Sequence, residues 1–129
     1  MDKKKLLLID DEKDNLRLLE VILNNEGFAV HAFSSGCDGL EAYIKAKGNF
    51  DAVILDLMMP AVSGWDFIRI VDSLIEANVF PPREHVIVVS AIDSYSKLSL
   101  LAGAKCVDQV HRKPLDMEEF LPKLHRLVS

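Results

Sequence analysis

Five polar positions could do chemistry together. Asp10 and Asp11 close the segment "LLLIDDEKDN", where four apolar residues run straight into paired acids. Asp56 lies near the end of "DAVILDL", Ser90 and Ala91 end "HVIVVSA", and Lys113-Pro114 follows "KCVDQV" closely. Each has a plain reading alone: a helix cap for the acid pair, a strand-end polar residue for Asp56 or Ser90, a common loop dipeptide for Lys113-Pro114. Brought together, three carboxylates would repel by several kcal/mol at intermediate dielectric. A divalent cation and a lysine would offset that repulsion. An all-oxygen donor set suits Mg²⁺, or Mn²⁺ in its place. A carboxylate beside a metal and a lysine can attack phosphorus and become an acyl phosphate, with cation, lysine and hydroxyl on the phosphoryl oxygens. Asp56 is then the nucleophile, Asp10 and Asp11 serve the metal, and Lys113 and Ser90 contact the phosphoryl group.

The elements between these positions must bring them together. "KLLLID", "FAVHAF", "DAVILDL", "HVIVVSA" and "KCVDQV" read as five strands. The third is nearly continuous in apolar residues, as a strand covered on both faces should be. Between them run helical patterns. Residues 13–26 place Leu16, Leu19 and Leu23 on one face before Gly27. Cys37, Leu40 and Ile44 are spaced as a second helix stripe, capped by Ser34 or Ser35 and ended by Gly48. Ser63 caps a third helix carrying Phe67, Ile68, Val71, Leu74 and Ile75. Residues 94–102 form a short helix with Tyr95, Leu98 and Ala102 on one side. The last helix, from about Asp116, carries Met117, Phe120, Leu121, Leu124 and Val128, with Pro122 inside it in conflict with helical bonding. Five βα units imply a parallel sheet with helices on both faces, an α/β three-layer sandwich of the flavodoxin-like (βα)5 kind with strand order 2-1-3-4-5. Sites in such sheets form beyond the carboxyl ends of the strands, between strands 1 and 3. All five polar positions map to that edge.

Bulk properties narrow the function classes. With 129 residues, half of them apolar, the chain builds one core and reads as a single domain over residues 1–129. A net charge of −5 argues against direct nucleic-acid binding. The basic clusters at Lys3–Lys5, His111–Lys113 and Lys123–Arg126 read as solvated charge. Cys37 and Cys106 lack metal-ligand spacing and read as buried thiols in a reducing compartment. The apolar run Leu6–Ile9 is too short for a secretion signal, and no stretch approaches a membrane span. A cytoplasmic location is expected.

The chain resembles the receiver domain of two-component response regulators from Lys4 to Val128. "DLMMPAVSGWDFI" matches the family's phospho-acceptor motif, and "LLLIDDE", "VVSA" and "RKP" supply its acidic pair, switch hydroxyl with small neighbour, and lysine-proline. The resemblance implies that Asp56 accepts a phosphoryl group from a histidine kinase. Asp11, Asp56 and the Met58 carbonyl would bind Mg²⁺ directly and Asp10 through water. Lys113 would pair with the phosphoryl group, Ser90 would move toward it, and the Ala91 N–H would add a donor. The Lys113–Pro114 bond is expected to be cis. Phosphorylation would shift an existing conformational equilibrium that controls partner binding. Such a protein is a switch rather than an enzyme, though it can catalyse its own phosphorylation and dephosphorylation.

The sequence departs from the pattern where the family often has Tyr or Phe, three residues before the lysine. Val110 stands there, so no ring can report the state of Ser90, and the output surface would move differently. His111 next to it reads as a solvent-facing loop residue. Met58 and Ile92 offer no group to position an attacking water, so a long-lived phosphoryl aspartate is expected. Three other readings compete. A phosphohydrolase of the haloacid dehalogenase type would want an acid at Met58. A flavin carrier would want a phosphate loop instead of "DDEKDN". A degenerate receiver acting only through protein contacts would not need the full set. Expected partners are a sensor histidine kinase or histidine phosphotransfer protein, and a downstream target or output domain. Leu98, Leu101 and Val110 are candidate contact residues, with core packing favoured for the leucines; homodimerisation through the same region is compatible with the sequence. No output module is expected after the last helix, so the reading is a stand-alone receiver or a segment of a larger regulator or hybrid kinase.

Overall fold

The computed structural model describes residues 2–92 and 94–129; the side chain of Tyr95 lies outside the described residues. Strands β1 (Lys5–Ile9), β2 (Ala29–Phe33), β3 (Ala52–Asp56), β4 (Val86–Ser90) and β5 (Val107–Arg112) alternate with helices α1 (Lys13–Asn25), α2 (Gly36–Lys45), α3 (Gly64–Glu76), α4 (Tyr95–Leu98) and α5 (Met117–Val128). A 3-10 turn, Ser99–Leu101, continues α4. All strand pairs are parallel, in the order 2-1-3-4-5, so the expected flavodoxin-like architecture is the one adopted.

The apolar runs divide between two cores because successive side chains leave a strand on opposite faces. Leu7, Ile9, Val53, Leu55, Val86 and Val88 pack on one side with Phe67 and Val71 of α3. Leu6, Leu8, Ile54, Ile87 and Val89 pack on the other with Leu23 of α1 and Phe120 and Leu124 of α5. Central strands buried on both faces need apolar residues at every position.

The face of α2 differs from the expected stripe. Cys37 and Ile44 are exposed, Gly39 and Tyr43 face the core, and Gly36 is buried against the loop after β3, with Leu40 partly covered. The reason is proximity: a Cβ on Gly36 would lie 1.9 Å from the Val62 carbonyl oxygen, and one on Gly39 2.4 Å from Ile9. Two glycines carry no hydrophobic signal, so the neighbouring apolar residues mimic the buried stripe. Cys37 is therefore an exposed thiol, while Cys106 is buried.

Two further expectations are corrected. Ala102 is exposed, because the helix tightens to a 3-10 turn that rotates the face, while Leu101 is buried in the core as favoured. Strand β5 runs on to Arg112, so His111 lies in a strand, half-buried against Phe120. Pro122 sits within α5 without ending it. The carbonyl its missing N–H would have served belongs to exposed Glu118 and can bind water.

Candidate functional site

The carboxyl edge of the sheet collects the chemistry. Asp10 directly follows β1, and its N–H donates to the Phe33 carbonyl at 3.2 Å, extending the β1–β2 pairing by one residue. Asp56 is the last residue of β3. Lys113 comes just after β5 and reaches across, donating from Nζ to Asp10 Oδ2 at 3.0 Å and to Asp56 Oδ2 at 3.2 Å. The remaining oxygens are held by backbone: Asp10 Oδ1 accepts from Glu12 N–H at 2.9 Å, and Asp56 Oδ1 from Met58 N–H at 3.1 Å. Asp11 is exposed, yet it brings an oxygen into a cluster in which Asp10, Asp11 and Asp56 each offer one atom within 4.8 Å of the others. The acid pair is not a cap for α1. That role falls to Glu12, which makes no side-chain cap bond.

Three carboxylates face one ammonium, and burial disfavours the charged forms. Burial lifts the Asp56 carboxyl above its ordinary range, against the pull of the Met58 N–H and Lys113. Burial also works against the Lys113 charge, but its bonds to Asp10 and its attraction to both acids outweigh that, and its pKa is raised. The cluster thus holds more negative charge than its one lysine balances. An oxygen-only set of that kind fits a hard divalent cation.

Local sequence explains how Asp56 is held. The loop from β3 to α3 turns back tightly: Gly64 N–H donates to the Leu57 carbonyl, and a Cβ on Gly64 would come within 2.3 Å of the Asp56 carbonyl oxygen. Only glycine permits that approach. Ser63 and Asp66 form a capping box that fixes the start of α3. Ala61, in the same loop, holds left-handed backbone at φ +62°, a conformation that costs roughly 1 kcal/mol outside glycine.

Ser90 ends β4, fully buried, one position beyond the register partner of Asp56. Its hydroxyl accepts from Ile92 N–H at 3.0 Å, and its carbonyl accepts from Lys113 N–H at 2.9 Å. Ala91 is exposed and lines the same cavity as Asp10, Asp56 and Lys113. The Lys113–Pro114 peptide is cis. The Met58 side chain is exposed and that of Ile92 half-covered.

Two features of the structure escape the sequence. A cavity of about 470 Å³ continues from the acids between α1 and the start of α5, walled by Leu19, Ile22, Ile54 and Leu115 with Glu12 and Asn15 alongside. The α1 spacing was legible as amphipathic, but the gap beside it was not. At the opposite edge, Tyr43 Oη and His85 Nε2 meet at 2.8 Å in the core.

The profile of the response regulator receiver domain matches residues 6–125. The transcriptional regulatory protein PcoR of Escherichia coli is 32% identical over 127 residues, which cover 97% of this chain and 51% of that protein. A receiver domain structure from Clostridium thermocellum superposes with a TM-score of 0.80 at 25% identity, covering 97% of this chain and 94% of that one. The chemotaxis protein CheY4 of Vibrio cholerae shares the fold, at a TM-score of 0.77 and 23% identity over 98% of this chain and 99% of its own. The chain belongs to the response regulator receiver domain family. It spans about half the length of the curated relatives it matches.

Proposed function

We propose that Asp56 is the phospho-acceptor and that the phosphoryl donor is a phosphohistidine of a sensor histidine kinase or histidine phosphotransfer protein. An Asp56 carboxylate oxygen attacks phosphorus, the P–N bond to the donor imidazole breaks, and an acyl phosphate forms on Asp56. The supporting observation is one ammonium shared between Asp10 and Asp56, with a third carboxylate within 4.8 Å. Asp10, Asp11, Asp56 and the Met58 carbonyl would hold Mg²⁺, or Mn²⁺ in its place. Bound there, the ion supplies positive charge against the phosphoryl oxygens. Lys113 is already poised on Asp56 and carries its charge onto the new phosphoryl group. Ser90 gives up the Ile92 N–H to reach a phosphoryl oxygen, and the Ala91 N–H donates to another. The conformational equilibrium shifts as these contacts change.

The chain acts as a single receiver domain over residues 1–129, in the cytoplasm, and its loaded form is read by a downstream protein or an output domain. Among the described residues no helix is long and apolar enough to cross a membrane. Met58 and Ile92 present no group to direct an attacking water, so the phosphoryl group is long-lived. Incubation with acetyl phosphate, read by intact mass, tests this. A gain of one phosphoryl group that requires Mg²⁺, and decays slowly once the donor is removed, is expected. No gain, or a gain indifferent to Mg²⁺, contradicts the proposal.

A further inference from the structure

Phosphorylation must pass from Asp56 to a surface, and the usual route through a ring on the α4 side of β5 does not exist here. The residue at that position is Val110, aliphatic and 43% exposed. The helix opposite it is a single turn continued by a 3-10 turn, with Leu100 outside the core at 73% exposure. The other face of β5 is tied down firmly. His111 pairs in register with Val89 and is half-buried. Its ring meets the fully buried Phe120 of α5 edge-on, with centroids 5.3 Å apart and planes at 84°. Its Nε2 lies 2.9 Å from Gln109 Oε1, and the Gln109 amide reaches the Lys123 carbonyl of α5 at 3.4 Å. Two residues on, Lys113 bonds through its N–H to Ser90 and through Nζ to Asp10 and Asp56.

We infer that His111 is a positioning residue that carries the displacement of Lys113 onto α5, so that α5, rather than α4, is the element that responds to phosphorylation. The inference rests on the proposed loading of Asp56. When Lys113 follows the phosphoryl group, the end of β5 shifts with it. The loop Pro114–Asp116 passes that shift to the first residue of α5, and His111 passes it to the first turn through Phe120. An edge-on ring contact in a packed core has few alternative arrangements, so a small strand movement is transmitted rather than absorbed.

The test compares hydrogen exchange in unmodified and acetyl phosphate-loaded protein, with Asp56 occupancy measured by mass in the same samples. In the wild type, exchange over residues 117–124 should change by about threefold or more on loading, and by more than over residues 94–101. His111→Ala should load Asp56 to the same extent and lose the change in α5. His111→Phe, which keeps the ring against Phe120, should retain it, separating coupling from a general loosening of the helix. A change confined to residues 94–101, or an α5 change that survives in His111→Ala, overturns the inference. Absence of loading in the wild type overturns both the inference and the reading beneath it.

Discussion

At the scale of single residues, the site was legible because polar groups interrupt apolar runs at the strand ends. Asp10, Asp56, Ser90 and Lys113 all come together where the topology placed them. The Tyr43–His85 pair was not legible, because a histidine ahead of "VIVVS" does not announce a partner 42 residues away. Its Nδ1 faces the Arg83 carbonyl at 3.2 Å. A carbonyl only accepts, so Nδ1 carries the proton and Nε2 accepts from the tyrosine hydroxyl. Burial lowers the His85 pKa from 6.5 to about 4, more than the Arg83 carbonyl raises it. Between those values the unfolded chain takes up a proton that the folded chain refuses. This contribution to stability is complete above pH 6.5 and is lost as pH falls toward 4. Asp56 runs the other way, because its raised pKa favours the folded state as pH falls. Replacing His85 isolates the first effect. Urea unfolding of wild type should lose about 2 kcal/mol more than His85→Gln between pH 7 and pH 5; parallel losses would show that His85 is not held neutral.

At the scale of elements, helices α1, α3 and α5 followed their hydrophobic periods, and α2 did not. The buried face of α2 is made of what its sequence lacks. Gly39 lets the helix approach Ile9 of the sheet, and Gly36 lets it approach the Val62 backbone of the loop after β3, more closely than any side chain would allow. The apolar stripe of Cys37 and Ile44 is left facing outward. A periodicity argument weighs side chains and so cannot see a contact made by their absence. Gly36→Ala should therefore destabilise the fold by about 1–3 kcal/mol, since its new methyl meets backbone at Val62 that cannot step aside. Cys37→Ala, one residue along, should change stability by less than about 0.5 kcal/mol. Chemical denaturation midpoints of the two variants decide this; the reverse order would restore the original stripe. The end of β5 was misread for a different reason. "HRK" has the composition of a loop, but pairing of His111 with Val89 and Arg112 with Ser90 holds it in the sheet.

At the scale of the whole molecule, the site is a product of topology. No two of Asp10, Asp56 and Lys113 are near in sequence, and the parallel order 2-1-3-4-5 delivers them to one edge. That architecture was readable because every central strand must be apolar throughout, which leaves the carboxyl ends as the first places polar groups can stand. What the order of elements could not disclose is the cavity between α1 and α5, or which face of β5 is anchored, since both depend on side-chain packing. The decisive question at this edge is which of three clustered carboxylates is phosphorylated. Borohydride reduction of acetyl phosphate-treated protein converts an aspartyl phosphate to homoserine, and peptide mapping then places it. Homoserine at position 56, and none in Asp56→Asn, is the predicted result. Homoserine at position 10 or 11, or undiminished labelling of Asp56→Asn, would contradict it.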